Sequence, residues 1–256
     1  MHRLVLFDID CTLIDAHGVG GRSMMQAILD VYGVAGELGD YSFHGRTDPG
    51  IIRDLAALWG AGAPDADGAW QNGRTQTQLL HELAEGLGTP RQVVDDRLDE
   101  CLARYLEVLA TEVPDGRIET LPGVRELVTA LAVDGRTLVG IVTGNIEAGA
   151  RMKLEPTGLL PLFKVGAYGS DSALRADLPG VAVRRAERLT GRRYAGKEIV
   201  VIGDTPADIQ CGAALGVKAI AVATGRHSAA ELAEHAPDHV FADLSDWRAV
   251  YEAVLA

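Results

Sequence analysis

The 256-residue sequence predicts an α/β protein: a Rossmann-like three-layer core on a parallel central sheet, with an inserted all-helical cap domain. Three observations predict it. Short apolar runs that do not alternate recur along the chain and end in small or acidic residues. Helical patterns lie between those runs. One long stretch near the N-terminus, 16–116, breaks the rhythm and holds helical patterns alone.

The runs are "LVLFD" (4–8), "LVGIVTG" (138–144), "EIVVIGD" (198–204), "KAIAVATG" (218–225) and "HVFAD" (239–243). Continuous apolarity suits strands covered on both faces, as in a parallel sheet. Helices are expected between them over 122–134, 146–155, 179–190, 206–215 and 228–235. Right-handed crossovers bring the C-terminal ends of such strands to one edge, and a ligand site lies beyond that edge. Within 16–116, helices are expected over 20–33, 48–59, 68–87 and 90–110. The flanking segments "DAHGVGG" (15–21) and "EVPDGRIETLPG" (112–123) carry the Gly, Pro and polar residues of linkers. The predicted domains are therefore a core of 1–15 and 117–256 and a cap of 16–116.

A formal net charge of −12 argues against DNA or RNA as a partner, because binding a phosphate backbone needs an excess of Lys and Arg. A small anionic substrate remains compatible, since local cations, a metal or backbone amides can hold it. Three cysteines without CxxC spacing read as free thiols in a reducing compartment. The N-terminus lacks the pattern of a secretory signal, and no stretch approaches the roughly 18–20 apolar residues that span a bilayer. The expectation is a cytoplasmic protein with no membrane partner, monomeric or homodimeric.

Chemistry gathers at the strand ends. The first offers Asp8, Asp10 and Thr12, the second Thr143 and Asn145, and "EIVVIGDTPAD" offers Asp204 and Asp208. Four carboxylates at one edge repel unless a cation compensates them. Hard oxygen donors with few cysteines or histidines suit Mg²⁺, which keeps positions for water and a phosphate oxygen. In a strand, residues i and i+2 share a face, so Asp8 and Asp10 could reach one substrate.

These residues resemble the motifs of the haloacid dehalogenase-like (HAD) hydrolase superfamily. "DIDCT" (8–12) is similar to its first motif, "VTGN" (142–145) to its second, and "GDTPAD" (203–208) to its fourth. The helical insertion after the first motif resembles the cap of the subclass that includes phosphoglycolate phosphatase and β-phosphoglucomutase. The resemblance implies a phosphomonoester hydrolase for a small phosphorylated metabolite. Asp8 is then the nucleophile that forms an aspartyl-phosphate, and Asp10 protonates the leaving alcohol and later activates water. Mg²⁺ is held by Asp8, the Asp10 carbonyl and Asp204, with Asp208 direct or through water. Thr143 binds the transferring phosphoryl group, with Thr12, Gly144 and Asn145 lining the substrate site. Cap closure excludes water and reopens for release.

Two departures stand out. The third family motif is usually a Lys; here "RADLP" places Arg175 at that point, and Lys153 in "RMKLEP" is a rival. Arg is always charged and grips phosphate with two bonds. Cys11 stands where many relatives carry Gly, and packs as a small hydrophobe. In "FHGRTDPGI" (43–51), Arg46 either reaches a substrate anion from a specificity loop or is a solvated residue before a helix begun by Asp48 and Pro49. Three alternatives stay open. A dehalogenase fits less well, because Asp10 is present. A phosphomutase would use the same aspartate pair. A non-catalytic phosphate-binding protein would bind without turnover.

Overall fold

The computed structural model describes residues 2–38, 41–59, 91–115 and 118–256. The expected helix over 68–87 lies outside the described residues. Two units divide the chain: one of 1–17, 44–47 and 116–256, the other of 18–43 and 48–115.

The first unit is built on six parallel strands. They are β1 (Arg3–Phe7), β4 (Thr137–Val142), β5 (Val165–Ala167), β6 (Ile199–Gly203), β7 (Lys218–Val222) and β8 (His239–Phe241). Their order is β5-β4-β1-β6-β7-β8. The chain lays β4 and β5 on one side of β1 and then crosses to β6 on the other. The strand ends at that reversal, β1, β4 and β6, are where a crevice forms in such sheets.

Alternation sorts β1 between two helical layers. Leu4 and Leu6 pack on α7 (Leu178–Thr190) through Leu178, Ala182 and Ala186, an i, i+4, i+8 stripe. On the other side, α5 (Val124–Val133) and α10 (Trp247–Leu255) pack on each other, α5 on β4 and α10 on β1. α8 (Pro206–Cys211) packs on β6 and β7, and α6 (Glu147–Leu154) follows β4. α9 (Ala229–Ala233) starts at Ser228, whose hydroxyl caps the Glu231 amide. The predicted three-layer architecture is the observed one.

Several elements differ from expectation. β5 was not predicted: three residues that include Gly166 are too short to show a pattern. α10 was not predicted either. A second, two-stranded sheet joins β2 (Ile14–Asp15) to β3 (Glu119–Thr120), antiparallel, inside segments read as linkers. The helix expected over 206–215 stops at Cys211, and a 3₁₀ turn (Ala213–Leu215) follows Gly212.

The second unit is helical. α1 (Val19–Tyr32) packs along α4 (Leu98–Asp115), burying Met24, Ala27, Ile28 and Val31 from one and Cys101, Tyr105 and Leu109 from the other. Gly33 ends α1 in the left-handed conformation that glycine adopts without strain. The helix expected over 90–110 is two, α3 (Arg91–Asp96) and α4, broken at Arg97. α2 (Asp48–Leu58) begins at Asp48 with Pro49 in its first turn, as expected. Arg53 and Asp95 tie α2 to α3 at 2.5 Å. Among the described residues, no helix is long and apolar enough to cross a membrane.

Residues 44–47, expected within the cap, instead pack with the first unit. Gly45 turns the chain with φ +75°, and the Thr47 hydroxyl donates to the Ala173 carbonyl at 2.9 Å.

Candidate active site

Strand alternation stops at Phe7. Beyond it the chain coils, with Cys11 at φ +59° and a bridge from Asp10 to Ile14. The expectation that Asp8 and Asp10 share a strand face therefore gives way: their carboxylates take different partners.

Asp8 is 7 % exposed. Arg175 reaches it at 3.2 Å and also pairs with Asp208. Arg175 opens a 3₁₀ turn (Arg175–Asp177) before α7 and is itself buried. Asp208 has its other oxygen on the Thr205 amide (3.0 Å) and hydroxyl (2.6 Å), in a capping box at the start of α8. Asp8, Asp204 and Asp208 each place a carboxylate oxygen within 4.8 Å of the others, all buried.

Asp204 is fully buried. Thr12, also fully buried, donates to its Oδ1 at 3.1 Å, while Oδ2 has no hydrogen-bond partner among the described residues. Burial, then repulsion from Asp208 and Asp8, raises the Asp204 carboxyl above its ordinary range. Asp8 moves the same way, chiefly through burial, against the opposing pull of Arg175. One guanidinium does not offset the charge of three clustered carboxylates. An orphaned oxygen beside two more carboxylate oxygens is the donor set of a hard divalent cation, so these residues fit the metal that the sequence implied.

Asp10 is more open, its side chain 37 % exposed. Lys153 meets both its oxygens, at 3.0 and 2.9 Å, and the Asn145 amide donates to it at 2.7 Å. Burial works to raise the Asp10 carboxyl, but the Lys153 charge and these bonds outweigh it and hold it below its ordinary value. Lys153 is 3 % exposed and also donates to Asn145 Oδ1 at 2.7 Å. The rival cation for Arg175 is thus a partner of the other aspartate. Its signal was in the sequence: Lys153 falls on the same helical stripe as Gly149, Ala150 and Leu154, and a charge on a buried stripe needs a partner.

Thr143, at the end of β4, accepts from Asn145 through its amide (2.9 Å) and backbone N–H (3.3 Å), and its own hydroxyl proton goes to neither. Two expected substrate contacts are placed otherwise. The Thr12 hydroxyl is engaged by Asp204, and the Asn145 side chain by Asp10, Thr143 and Lys153. Both order the acidic residues. Gly144 lies against the backbone of 46–47: a Cβ there would overlap the Arg46 carbonyl oxygen. Arg46 and His44 are exposed on that segment, and His44 stands within electrostatic reach of Asp10, Arg226 and His227. Neither His44 nor Arg226 was singled out from the sequence.

Known proteins resemble the chain in sequence and in fold. The HAD-hydrolase-like family profile matches residues 172–247, which include Arg175, Asp204 and Asp208. Phosphoglycolate phosphatase of Rhodospirillum rubrum is 33 % identical over 167 residues, 64 % of this chain and 67 % of that protein. Pyrophosphatase PpaX of Bacillus pumilus is 26 % identical over 179 residues, 70 % and 81 % of the two chains. Among solved structures, a hydrolase from Pseudomonas syringae superposes with a TM-score of 0.64 at 16 % identity, covering 100 % of both chains. CbbY from Rhodobacter sphaeroides, solved in complex with phosphate, gives a TM-score of 0.63 at 17 % identity over 96 % of each.

Proposed function

The chain belongs to the haloacid dehalogenase-like hydrolase superfamily, and from that premise we propose that it is a Mg²⁺-dependent hydrolase of a small phosphomonoester, working through a phosphorylated Asp8. The observation that carries the reading is the pairing at the strand end. Asp8 sits between Arg175 and the unpartnered oxygen of Asp204, and Asp10 is held apart by Lys153.

In this mechanism Asp8 attacks phosphorus and the ester oxygen leaves. Arg175 offsets the clustered anions and keeps Asp8 oriented. The unshared Thr143 proton donates to a transferring phosphoryl oxygen. Asp10 gives the leaving alcohol its proton, then takes one from the water that cleaves the aspartyl-phosphate. Lys153 and Asn145 orient Asp10 for both transfers, and the proton it gives up in the first step is regained from water in the second, so the cycle balances. Mg²⁺, when bound, would be held by Asp8, Asp204 and the Asp10 carbonyl, with Asp208 through water because Arg175 and Thr205 engage it, and would neutralise charge developing on the phosphoryl group. The helical unit acts as the cap.

The substrate class follows the curated relatives, a phosphoglycolate phosphatase and a pyrophosphatase, both named for small phosphorylated compounds. Phosphate release from a panel of small phosphomonoesters, with Mg²⁺ or with EDTA, tests the reading. Turnover that needs Mg²⁺ and vanishes in Asp8→Asn supports it. A chain that binds these esters without releasing phosphate, or that releases it only from a bisphosphate, contradicts it.

A further inference from the structure

Between α6 and α7, beside β5, the edge strand of the sheet, the first unit holds an open pocket of about 590 Å³. That size lies within the roughly 300–1,000 Å³ of small-molecule sites. Four cationic side chains line it, Arg151, Lys164, Arg185 and Arg188, with Glu147 the single carboxylate in the lining. The chain as a whole carries a net charge of −12, so this concentration of positive charge runs against its background.

The four cations are not equivalent. Arg151 is paired with Glu147 at 2.9 Å. Arg185 is gripped by Asp171 through two bonds of 2.6 and 2.7 Å, and donates to the Gly166 carbonyl at 2.7 Å. Both are held in place with their charge offset. Among the described residues, the Lys164 ammonium donates to the Pro161 carbonyl, and neither Lys164 nor Arg188 has a carboxylate partner. Two positive charges are therefore left for a ligand.

The rest of the lining is apolar. Phe163 packs edge-to-face on Phe7, with centroids 6.3 Å apart, which fixes its ring. Leu189 lines the cavity at 58 % exposure, although it belongs to the helix that also buries Ala182 and Ala186. Tyr168 lies over Gly166, where a Cβ would overlap its hydroxyl. An edge strand can also recruit an extended peptide, but the Arg185 guanidinium already occupies the Gly166 carbonyl. A concave, aromatic-walled site with two uncompensated cations suits a compact molecule.

We propose that this cavity binds a small organic anion, with its acidic group on Arg188 and Lys164 and its apolar or aromatic body against Phe163 and Leu189. The test is calorimetric titration of the full chain with 1-naphthalenesulfonate, which no phosphatase can hydrolyse, in saturating inorganic phosphate. Binding should saturate at one site per chain. Arg188→Glu, an exposed substitution, should raise Kd at least about fivefold, since it reverses a charge at close range. Lys164→Glu should act in the same direction, and serves if Arg188→Glu does not fold. Arg248→Glu, a charge reversal on α10, should change Kd less than about twofold because distant exposed charges are screened. Asp8→Asn should bind as the wild type does. Binding that never saturates, that phosphate abolishes, or that both cavity variants leave unchanged overturns the proposal, as does an acidic peptide that binds where the sulfonate does not.

Discussion

Asp8 and Asp10 are two residues apart, yet they inhabit different electrostatic regions. Asp8 is buried with two other carboxylates and one guanidinium, and burial with repulsion pushes its proton affinity up. Asp10 is partly open and answers to one ammonium and one amide, which push its proton affinity down. Residue type is the same in both; what separates them is where alternation ends. The chain leaves the strand at Phe7 and turns through Cys11, so the second carboxylate swings to α6. The comparison also shows what is missing from the protein alone. Without a divalent cation, the expected nucleophile is the aspartate that is harder to ionise. A metal beside the Asp204 orphan oxygen would reverse that order.

The comparison can be broken at four levels. Asp8→Asn should abolish phosphate release, by at least about 10⁴-fold in kcat, equally for good and poor leaving groups. Asp10→Asn should cost about 10²–10⁴-fold with an alkyl phosphate, and much less with 4-nitrophenyl phosphate, whose leaving group needs no proton. Steady-state assays on both esters read the difference; equal losses in the two variants would erase the distinction between the aspartates. Arg175→Met leaves buried carboxylates unpaired and should destabilise the fold by about 3–5 kcal/mol in urea titration. Lys153→Met should cost no more than about 2 kcal/mol, because Asp10 keeps Asn145 and has access to water. A larger loss from Lys153 than from Arg175 would reverse the ranking of the two regions. At the small end, Cys11→Gly relieves a left-handed residue and should stabilise by about 0.5 kcal/mol, the difference between backbone strain and the entropy glycine adds to the unfolded chain.

Legibility followed burial and length. β1, β4, β6 and β7 were readable because a strand covered on both faces shows as an unbroken apolar run. β5 was not, since Val165–Ala167 has too few side chains to carry a pattern, and its identity as a strand comes from its register on β4. The acidic residues of the site were readable by their place at strand ends. Lys153 was visible as the rival of Arg175, and the buried stripe of α6 that carries it is what makes it a partner of Asp10. Asn145 and Thr12 were placed at the substrate site by the resemblance alone, and here each bonds a carboxylate of the cluster, Asn145 to Asp10 and Thr12 to Asp204. Cys11 looked like a packing residue. Its φ explains why glycine suits the position.

At 44–47, holding the segment and presenting its side chains are separate tasks. Part of the hold is main chain: the Arg46 carbonyl rests on a glycine that has no Cβ to obstruct it, and Gly169 in turn lies against Gly144 and Thr47, while the Thr47 hydroxyl adds its bond to the Ala173 carbonyl. His44 and Arg46 are the exposed side chains on this platform. Residues 44 and 46 are therefore carried on a main chain whose position depends on two glycines. The glycines at 144 and 169 set how close that main chain can come, and a larger residue at either would displace the segment together with whatever it presents.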